Sequence, residues 1–378
     1  YSRKKSFMKD KLIYLTYQSF PSLKANTIQT IDNLNYLSKY FEVDLVFPLR
    51  EKNSSDDMNV LKNFYSINEN VKVRGEVHNY PFGKVKIFEN LLFVISQLLW
   101  SKKMVKKLES KNIKYFFTRS DWVFYFLARK NKRVVFECHQ LSKTRRFVMK
   151  KSIKFENSKI IFLNNYLKND SGIDSQKFED KLIVLHNGVD SNLFNSNVVK
   201  DKKRIIFIGN LKRFEESRNL EFYISTFKNK NMPKDFKFTI IGTPEAEVNR
   251  LNKYIKESGL EKNVEVKNWI KRQEAIEALK KSSIGLLINT KNNEHSVKYT
   301  SPLKYFEYIY GKLKVVAPNY PAHNDLPFSN KICFFENENV ESFISSLKKA
   351  DQEDPLNPEE LESVTLRKRA EEIFNFIL

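Results

Sequence analysis

Tyr299-Thr300-Ser301-Pro302-Leu303-Lys304-Tyr305-Phe306-Glu307-Tyr308-Ile309-Tyr310-Gly311 reads as the start, body and end of one helix. Ser301 suits an N-cap, because its hydroxyl can accept from a free N–H of the first turn. Pro302 suits the first helical position, where no N–H is needed. Gly311 is a natural stop. The N–H groups from Ser301 to Lys304 would face outward unpaired, and the helix dipole adds partial positive charge there, so the helix start can hold an anion such as a phosphate. Glu307 follows Pro302 by five residues. It lies more than one turn into the helix, where it can accept hydrogen bonds from vicinal hydroxyls while the helix start holds the phosphate. Leu303 and Phe306 are expected to face a sheet. An ordinary capped core helix with a solvated Glu is the plainer reading of the same residues.

The flanking sequence supplies that sheet. Short apolar runs alternate with helical patterns along the whole chain: Leu12–Thr16, Val43–Phe47, Tyr115–Thr118, Val134–Glu137, Ile160–Leu163 and Ile183–Leu185, then Ile205–Ile208, Phe238–Ile241, Val264–Val266, Ile284–Ile288 and Val315–Ala317. Continuous apolar runs of this kind are strands buried on both faces. Helix-period segments lie between them, as at Ile28–Tyr40, Val85–Leu108, Asn219–Phe227, Gln273–Lys280 and Val340–Leu347. Alternating strands and helices predict an α/β protein with parallel sheets. The pattern lapses near Asn187-Gly188-Val189-Asp190, and the expected division is two Rossmann-like doubly wound domains, 8–195 and 196–360. Residues 361–378, with an apolar stripe at Ala370, Ile373, Phe374 and Ile377, are expected to form a helix that crosses back to the first domain. Ligands of such sheets bind at the C-terminal strand ends, in a cleft that both domains should face.

The chain has 378 residues and a formal net charge of +21. Residues 1–200 hold 36 Lys and Arg against 19 Asp and Glu, and residues 101–150 alone hold 15 against 3. A basic first half implies an anionic partner: nucleic acid, an anionic membrane surface or a phosphorylated substrate. Coding bias toward Lys explains the overall excess better than its concentration in one half. No stacking motif or nucleic-acid module is present, so nucleic acid is not an expected partner. Two cysteines exclude a disulfide scaffold and any zinc site built from Cys pairs. The most apolar stretch, Ile87 to Trp100, is too short and too interrupted to span a bilayer.

The Ser-Pro-Leu-Lys helix, followed by Lys314-Val315-Val316-Ala317, resembles the nucleotide-binding element of the family 4 glycosyltransferases of the GT-B fold, in their Ser-Pro-Leu-Lys-Leu-Phe-Glu-Tyr branch. Asn187-Gly188-Val189-Asp190 with Phe194 looks like that family's turn between domains. Ile206-Phe207-Ile208-Gly209-Asn210-Leu211 looks like the strand and glycine opening the second domain, and Thr239-Ile240-Ile241-Gly242 like its second strand. Arg119-Ser120 and Glu137-Cys138-His139 resemble two first-domain loop positions.

The resemblance implies a retaining transfer of a sugar from a nucleotide-diphosphate sugar, a UDP- or GDP-sugar, to a growing surface glycan, with no obligatory cofactor or metal. Cationic side chains and a helix N-terminus would meet the charge of the leaving diphosphate. The implied catalytic residues are His139 near the sugar, Arg218 at the diphosphate and Glu307 at the ribose. The implied donor-binding residues are Gly209, Asn210, Lys212, Arg213, Arg218, His295, Ser301, Pro302, Leu303, Lys304 and Glu307. Asn210 stands where the family often has Arg, so Lys212 or Arg213 is expected to substitute. Tyr299 stands where many members have a first Glu, which leaves open the contact to the transferred sugar; Glu294, His295 and Lys298 are nearby in sequence.

On the acceptor or membrane side, Lys102, Lys103, Lys106 and Lys107 follow the Ile87–Trp100 segment, and Arg145 and Arg146 follow His139. An apolar helix face ending in Lys and Trp suits an anionic bilayer, and a lipid-diphosphate-linked glycan would fit as acceptor. The expected location is cytoplasmic and peripheral, on the inner face of the cytoplasmic membrane. A core-facing helix accounts for the apolar residues but not for the lysines. Two other functions fit the same fold: a GT-B nucleotide-sugar epimerase, and a non-catalytic sugar-binding relic.

Overall fold

A computed structural model describes residues 9–378 apart from 23, 79–88, 196–197 and 214–215. The chain forms two compact units. One comprises the residues up to Leu185 together with Leu366–Leu378, and the other is His186–Thr365. The Asn187–Asp190 turn therefore belongs to the second unit.

The first unit is built on a seven-stranded parallel sheet. Its strands are β1 (Lys11–Leu15), β2 (Glu42–Leu49), β3 (Val71–Val77), β4 (Tyr115–Thr118), β5 (Arg133–Cys138), β6 (Ser158–Phe162) and β7 (Leu182–Val184). The order β3-β2-β1-β4-β5-β6-β7 reverses between β1 and β4. β1, β4 and β5 are buried almost throughout, as strands covered on both faces must be. β3 is an edge strand of mixed burial, and its sequence, Val-Lys-Val-Arg-Gly-Glu-Val, carries charges in place of a continuous apolar run. The helices Ala25–Leu37 and Leu366–Ile377 cover one face. Ile31, Leu34, Leu37, Leu366, Ala370, Ile373 and Ile377 share a core there with Leu12, Tyr14, Leu45 and Phe47. Tyr40 and Phe374 stack beside it at 4.8 Å.

The helix Glu89–Glu109 divides its faces. Ser96, Trp100, Met104 and Leu108 are buried, while Leu91, Val94, Ile95 and Leu99 are exposed. Ile87 and Phe88, the start of the apolar segment in the sequence, lie outside the described residues. Among the described residues no helix is long and apolar enough to cross a membrane.

The second unit has a six-stranded parallel sheet of order β12-β11-β8-β13-β14-β15. The strands are β8 (Arg204–Asn210), β11 (Lys237–Thr243), β12 (Val264–Asn268), β13 (Ile284–Leu286), β14 (Lys314–Pro318) and β15 (Ile332–Phe335). A two-stranded antiparallel ribbon of β9 (Lys212–Arg213) and β10 (Glu216–Ser217) follows β8. Side chains alternate between the two faces, as strand geometry requires. Ile205 and Phe207 enter one core, and Ile206 and Ile208 the other. The order reverses between β8 and β13, which makes their C-terminal ends the switch point where open α/β sheets bind ligands.

Candidate functional site

The decisive helix starts one residue later than its sequence suggests. It runs Leu303–Tyr310, and Pro302 stands at the N-cap with extended backbone and no side-chain cap. Ser301 is drawn away by the Asn187 turn: its hydroxyl accepts from the Asn187 N–H at 3.0 Å, and its carbonyl accepts from the Asn187 side chain. The two motifs that seemed separate in sequence are thus one hydrogen-bonded unit. Gly311 follows the helix without left-handed backbone; that conformation falls on Lys312, at φ 58°. The residues turned to the core are Tyr305, Phe306, Tyr308 and Ile309, while Leu303 is only half-buried. Tyr308 explains the glycine in β13, since a Cβ on Gly285 would lie 2.3 Å from its ring.

One turn of this helix carries the candidate side chains Lys304 and Glu307. Lys304 reaches back over the end of β8, its Nζ 4.2 Å above the Phe207 ring centroid. Gly209 allows this in two ways. Its φ of 141° lies in the region that favours glycine, and a Cβ there would stand 2.7 Å from the Lys304 Nζ. Arg218 is buried across the switch point. Its Nε donates to the Asn210 carbonyl at 2.7 Å, and its Nη1 donates to the Ile288 carbonyl and, at 3.5 Å, to the Asn289 side chain. Burial and the charge of Arg213 hold the Arg218 guanidinium down to about 10. Burial, with Arg218 and Arg213 as like charges, holds Lys304 well below its ordinary value, and Glu307 opposes them. Burial also lowers Arg213. Three cations therefore crowd one strand end, and Glu307 offsets part of their charge at Lys304, an arrangement that a bound polyanion would relieve.

Glu307 points to a different neighbour, Arg272, whose Nη2 lies 3.0 Å from its Oε1. Arg272 opens the helix after β12, and Trp269, 59% exposed, precedes it by three residues. Arg272 could not be singled out from the sequence, because only the fold brings that helix start beside Glu307. Asn210 leaves its carbonyl to Arg218. Lys212, on β9, is turned to Glu247, with its Nζ 2.6 Å from the carboxylate. Lys212 and Arg218 both line a cleft of about 560 Å³, together with Asn289, Lys291 and Tyr320; Ser301, Lys304 and Glu307 do not line it. His295 lies half-buried on the short helix Glu294–Lys298, with its ring 6.5 Å from that of Tyr299, whose hydroxyl donates to Glu294 at 3.2 Å. Asn289 pins this loop to the sheet by donating to the Ser296 carbonyl at 2.9 Å and to His323 Nε2 at 3.2 Å.

In the first unit, His139 follows β5 and is half-buried, and Glu137 Oε2 accepts from its Nε2 at 2.9 Å. Arg145 is not a free surface cation. Its Nε donates to Asp121 at 2.6 Å within a largely buried pair. Arg146 Nε donates to the Asp170 carbonyl, and Lys107 pairs with Glu76 at 2.7 Å. Lys102, Lys103 and Lys106 are exposed and make no ion pair among the described residues. Among those residues no group of three or more His, Cys, Asp or Glu could hold a metal ion.

Residues 202–350 match the family model for glycosyl transferases group 1. The lipopolysaccharide outer core galactosyltransferase WaaB superposes with a TM-score of 0.65 at 12% identity, over 97% of this chain and 99% of that one. Sucrose-phosphate synthase from Thermosynechococcus elongatus gives 0.64 at 12% identity, over 97% and 96%. HepE of Anabaena in complex with UDP-glucose gives 0.56 at 12%, over 97% and 94%. No protein of curated function matches by sequence. The solved structures establish the fold, GT-B, with two Rossmann-like α/β units. The matched domain and the glycosyltransferases of that fold together support a nucleotide-sugar glycosyltransferase.

Proposed function

We propose that this chain is a retaining family 4 glycosyltransferase that moves a sugar from a UDP- or GDP-sugar to a growing, lipid-diphosphate-linked surface glycan. The observation that carries the reading is the cation cluster at the end of β8, where Lys304 lies against the bare backbone of Gly209 with Arg218 and Arg213 as like-charged neighbours. When the bond between the sugar and the diphosphate breaks, negative charge builds on the phosphate oxygens. Cations already fixed and desolvated there stabilise that charge more than they stabilise the intact donor. Arg218 is held by two strand-end carbonyls, so it need not reorganise during the reaction. Glu307 accepts from the ribose hydroxyls, with Arg272 holding one carboxylate oxygen. His139 accepts from a hydroxyl of the sugar. The exposed apolar face of the helix Glu89–Glu109, ending in Lys102, Lys103 and Lys106, lies on the inner leaflet and brings the enzyme to its acceptor.

A panel of UDP- and GDP-sugars tests the reading. One of them should raise the unfolding temperature selectively, because a ligand of the native state stabilises it. The same donor should then give a product whose anomeric configuration matches the donor's. Stabilisation by none of the panel would remove the donor assignment, and an inverted product would remove retention.

A further inference from the structure

The first unit holds a buried cluster of charges of which the proposed transfer uses only the outermost member, His139. Glu137, at the end of β5, is 2% exposed. Its Oε1 accepts from Arg369 Nη2, and its Oε2 takes His139 at 2.9 Å and stands 3.8 Å from Arg119 Nε. Arg369, itself buried, comes from the helix Leu366–Ile377, and its Nη1 donates to Asn33 at 3.0 Å. Arg119, after β4, is fixed by bonds to the Asn26 carbonyl and the side chains of Gln29 and Thr30.

We propose that Glu137, gripped by Arg369, is a positioning residue that fixes His139 as the Nε2–H tautomer and so presents its bare Nδ1 to accept a hydrogen bond from a sugar hydroxyl. The proposal rests on the reading of His139 as the sugar-facing group. An ionised carboxylate only accepts, so the ring nitrogen facing Glu137 must carry the proton. Burial pushes the Glu137 carboxyl up, but Arg369, His139 and Arg119 more than offset it, and the group stays ionised well below the usual range. For His139, burial and the Arg119 guanidinium, against the pull of Glu137, hold the imidazole down to about 3. At neutral pH the ring therefore has one proton, on Nε2. Nδ1 makes no protein hydrogen bond among the described residues. The groups facing the ring are Glu137 from β5, Arg119 from the β4 end and Arg369 from the C-terminal helix. Burial and the two guanidiniums keep a second proton off the ring, so at neutral pH His139 is an acceptor and not a general acid.

Imidazole ¹⁵N NMR of the full chain reads this directly, with the His139 signals assigned by their loss in His139→Asn. A protonated Nε2 and an unprotonated Nδ1 are expected, unchanged between about pH 5.5 and 8. In Glu137→Gln the amide can donate to Nε2, so the proton should move to Nδ1, and transfer should fall roughly 10- to 100-fold, as when other ring-orienting partners are lost. Arg369→Lys keeps the charge and should keep the tautomer with a smaller loss. A wild-type ring protonated on Nδ1, or one titrating near the ordinary 6.5, would overturn the proposal, and so would an unmoved proton in Glu137→Gln. Should Glu137→Gln not fold, the wild-type spectrum and Arg369→Lys decide. Full transfer activity in His139→Ala beside the expected spectrum would overturn the sugar contact, and with it this part of the proposed site, while leaving the donor site of the second unit standing.

Discussion

Lys304 keeps its ammonium against an aromatic face and a bare glycine, with two guanidiniums as neighbours. Its lowered pKa has a definite sign. Above that value the free protein has released a proton that the unfolded chain keeps up to about 10.5, so in that window Lys304 favours folding more as pH rises. A bound diphosphate does the opposite and pulls the proton back. Donor binding is therefore expected to take up a proton at alkaline pH and to weaken as pH rises further. Calorimetry in buffers of different ionisation enthalpy measures the uptake, and Lys304→Met should abolish it. Glu307→Gln should raise donor KM, at a cost of ~1.5–3 kcal/mol for one charged hydrogen bond, and leave the pH profile of kcat unmoved; an unchanged KM would sever Glu307 from the ribose. Lys304 and Glu307 were legible because they sit a turn apart on one recognisable helix. Arg272 and Arg369 were not, since their partners lie 35 and 232 residues away and only packing brings the pairs together.

Among elements, the central strands announced themselves, and two of the four edge strands did not. β8, β11 and β14 match continuous apolar runs in the sequence, and the edge strands β7 and β12 were also expected, but β3 and β15, the other two edge strands, were not foreseen. β3 mixes charge into its edge, and β15 is four residues of Ile-Cys-Phe-Phe hidden after a polar loop. Cap chemistry failed at Ser301 for a similar reason. A serine before a proline can cap a helix, but a distant Asn187 competed for the hydroxyl and won. Helix and sheet meet closely at Gly285 and Tyr308. Gly285→Ala puts a methyl 2.3 Å from the ring, and overpacking of this kind costs about 1–3 kcal/mol. Urea unfolding of the variant should show that loss with an unchanged m-value, and Tyr308→Leu in the same chain should recover part of it.

At the scale of the whole molecule the question is where the charge goes. Some of the cations in residues 101–150 have partners, Arg145 with Asp121 and Lys130 with Glu109 inside the segment and Lys107 with Glu76 outside it, but most of the excess is not paired in this way. Lys102, Lys103 and Lys106 are the exposed lysines that stand beside four exposed apolar residues of the same helix. Each such lysine contributes up to about 1 kcal/mol near an anionic surface, within a Debye length of ~8 Å at physiological salt. Co-sedimentation with anionic vesicles should therefore weaken with added salt and with Gln at these three positions. Equal recovery on neutral vesicles would leave the lysines without an electrostatic role.

The second unit begins and ends side by side. Val189 bridges Thr365 in parallel, and its N–H donates to the Val364 carbonyl at 3.1 Å. The first unit, by contrast, is made of two pieces of chain, with His186–Thr365 running between them. In terms of gene architecture the second unit is an insert whose ends meet, the arrangement that domain insertion tolerates best. The two units should therefore be unequally separable. A fragment spanning 186–365 is expected to fold alone and to show a sharp thermal transition, because every strand of its sheet lies within it. A fragment ending at 185 loses Arg369 and strands the buried Glu137 carboxylate, a loss of about 3–5 kcal/mol for a broken buried pair. Only by joining 185 to 366 through a short linker should the first unit be recovered, and circular dichroism melts of the three fragments would rank them.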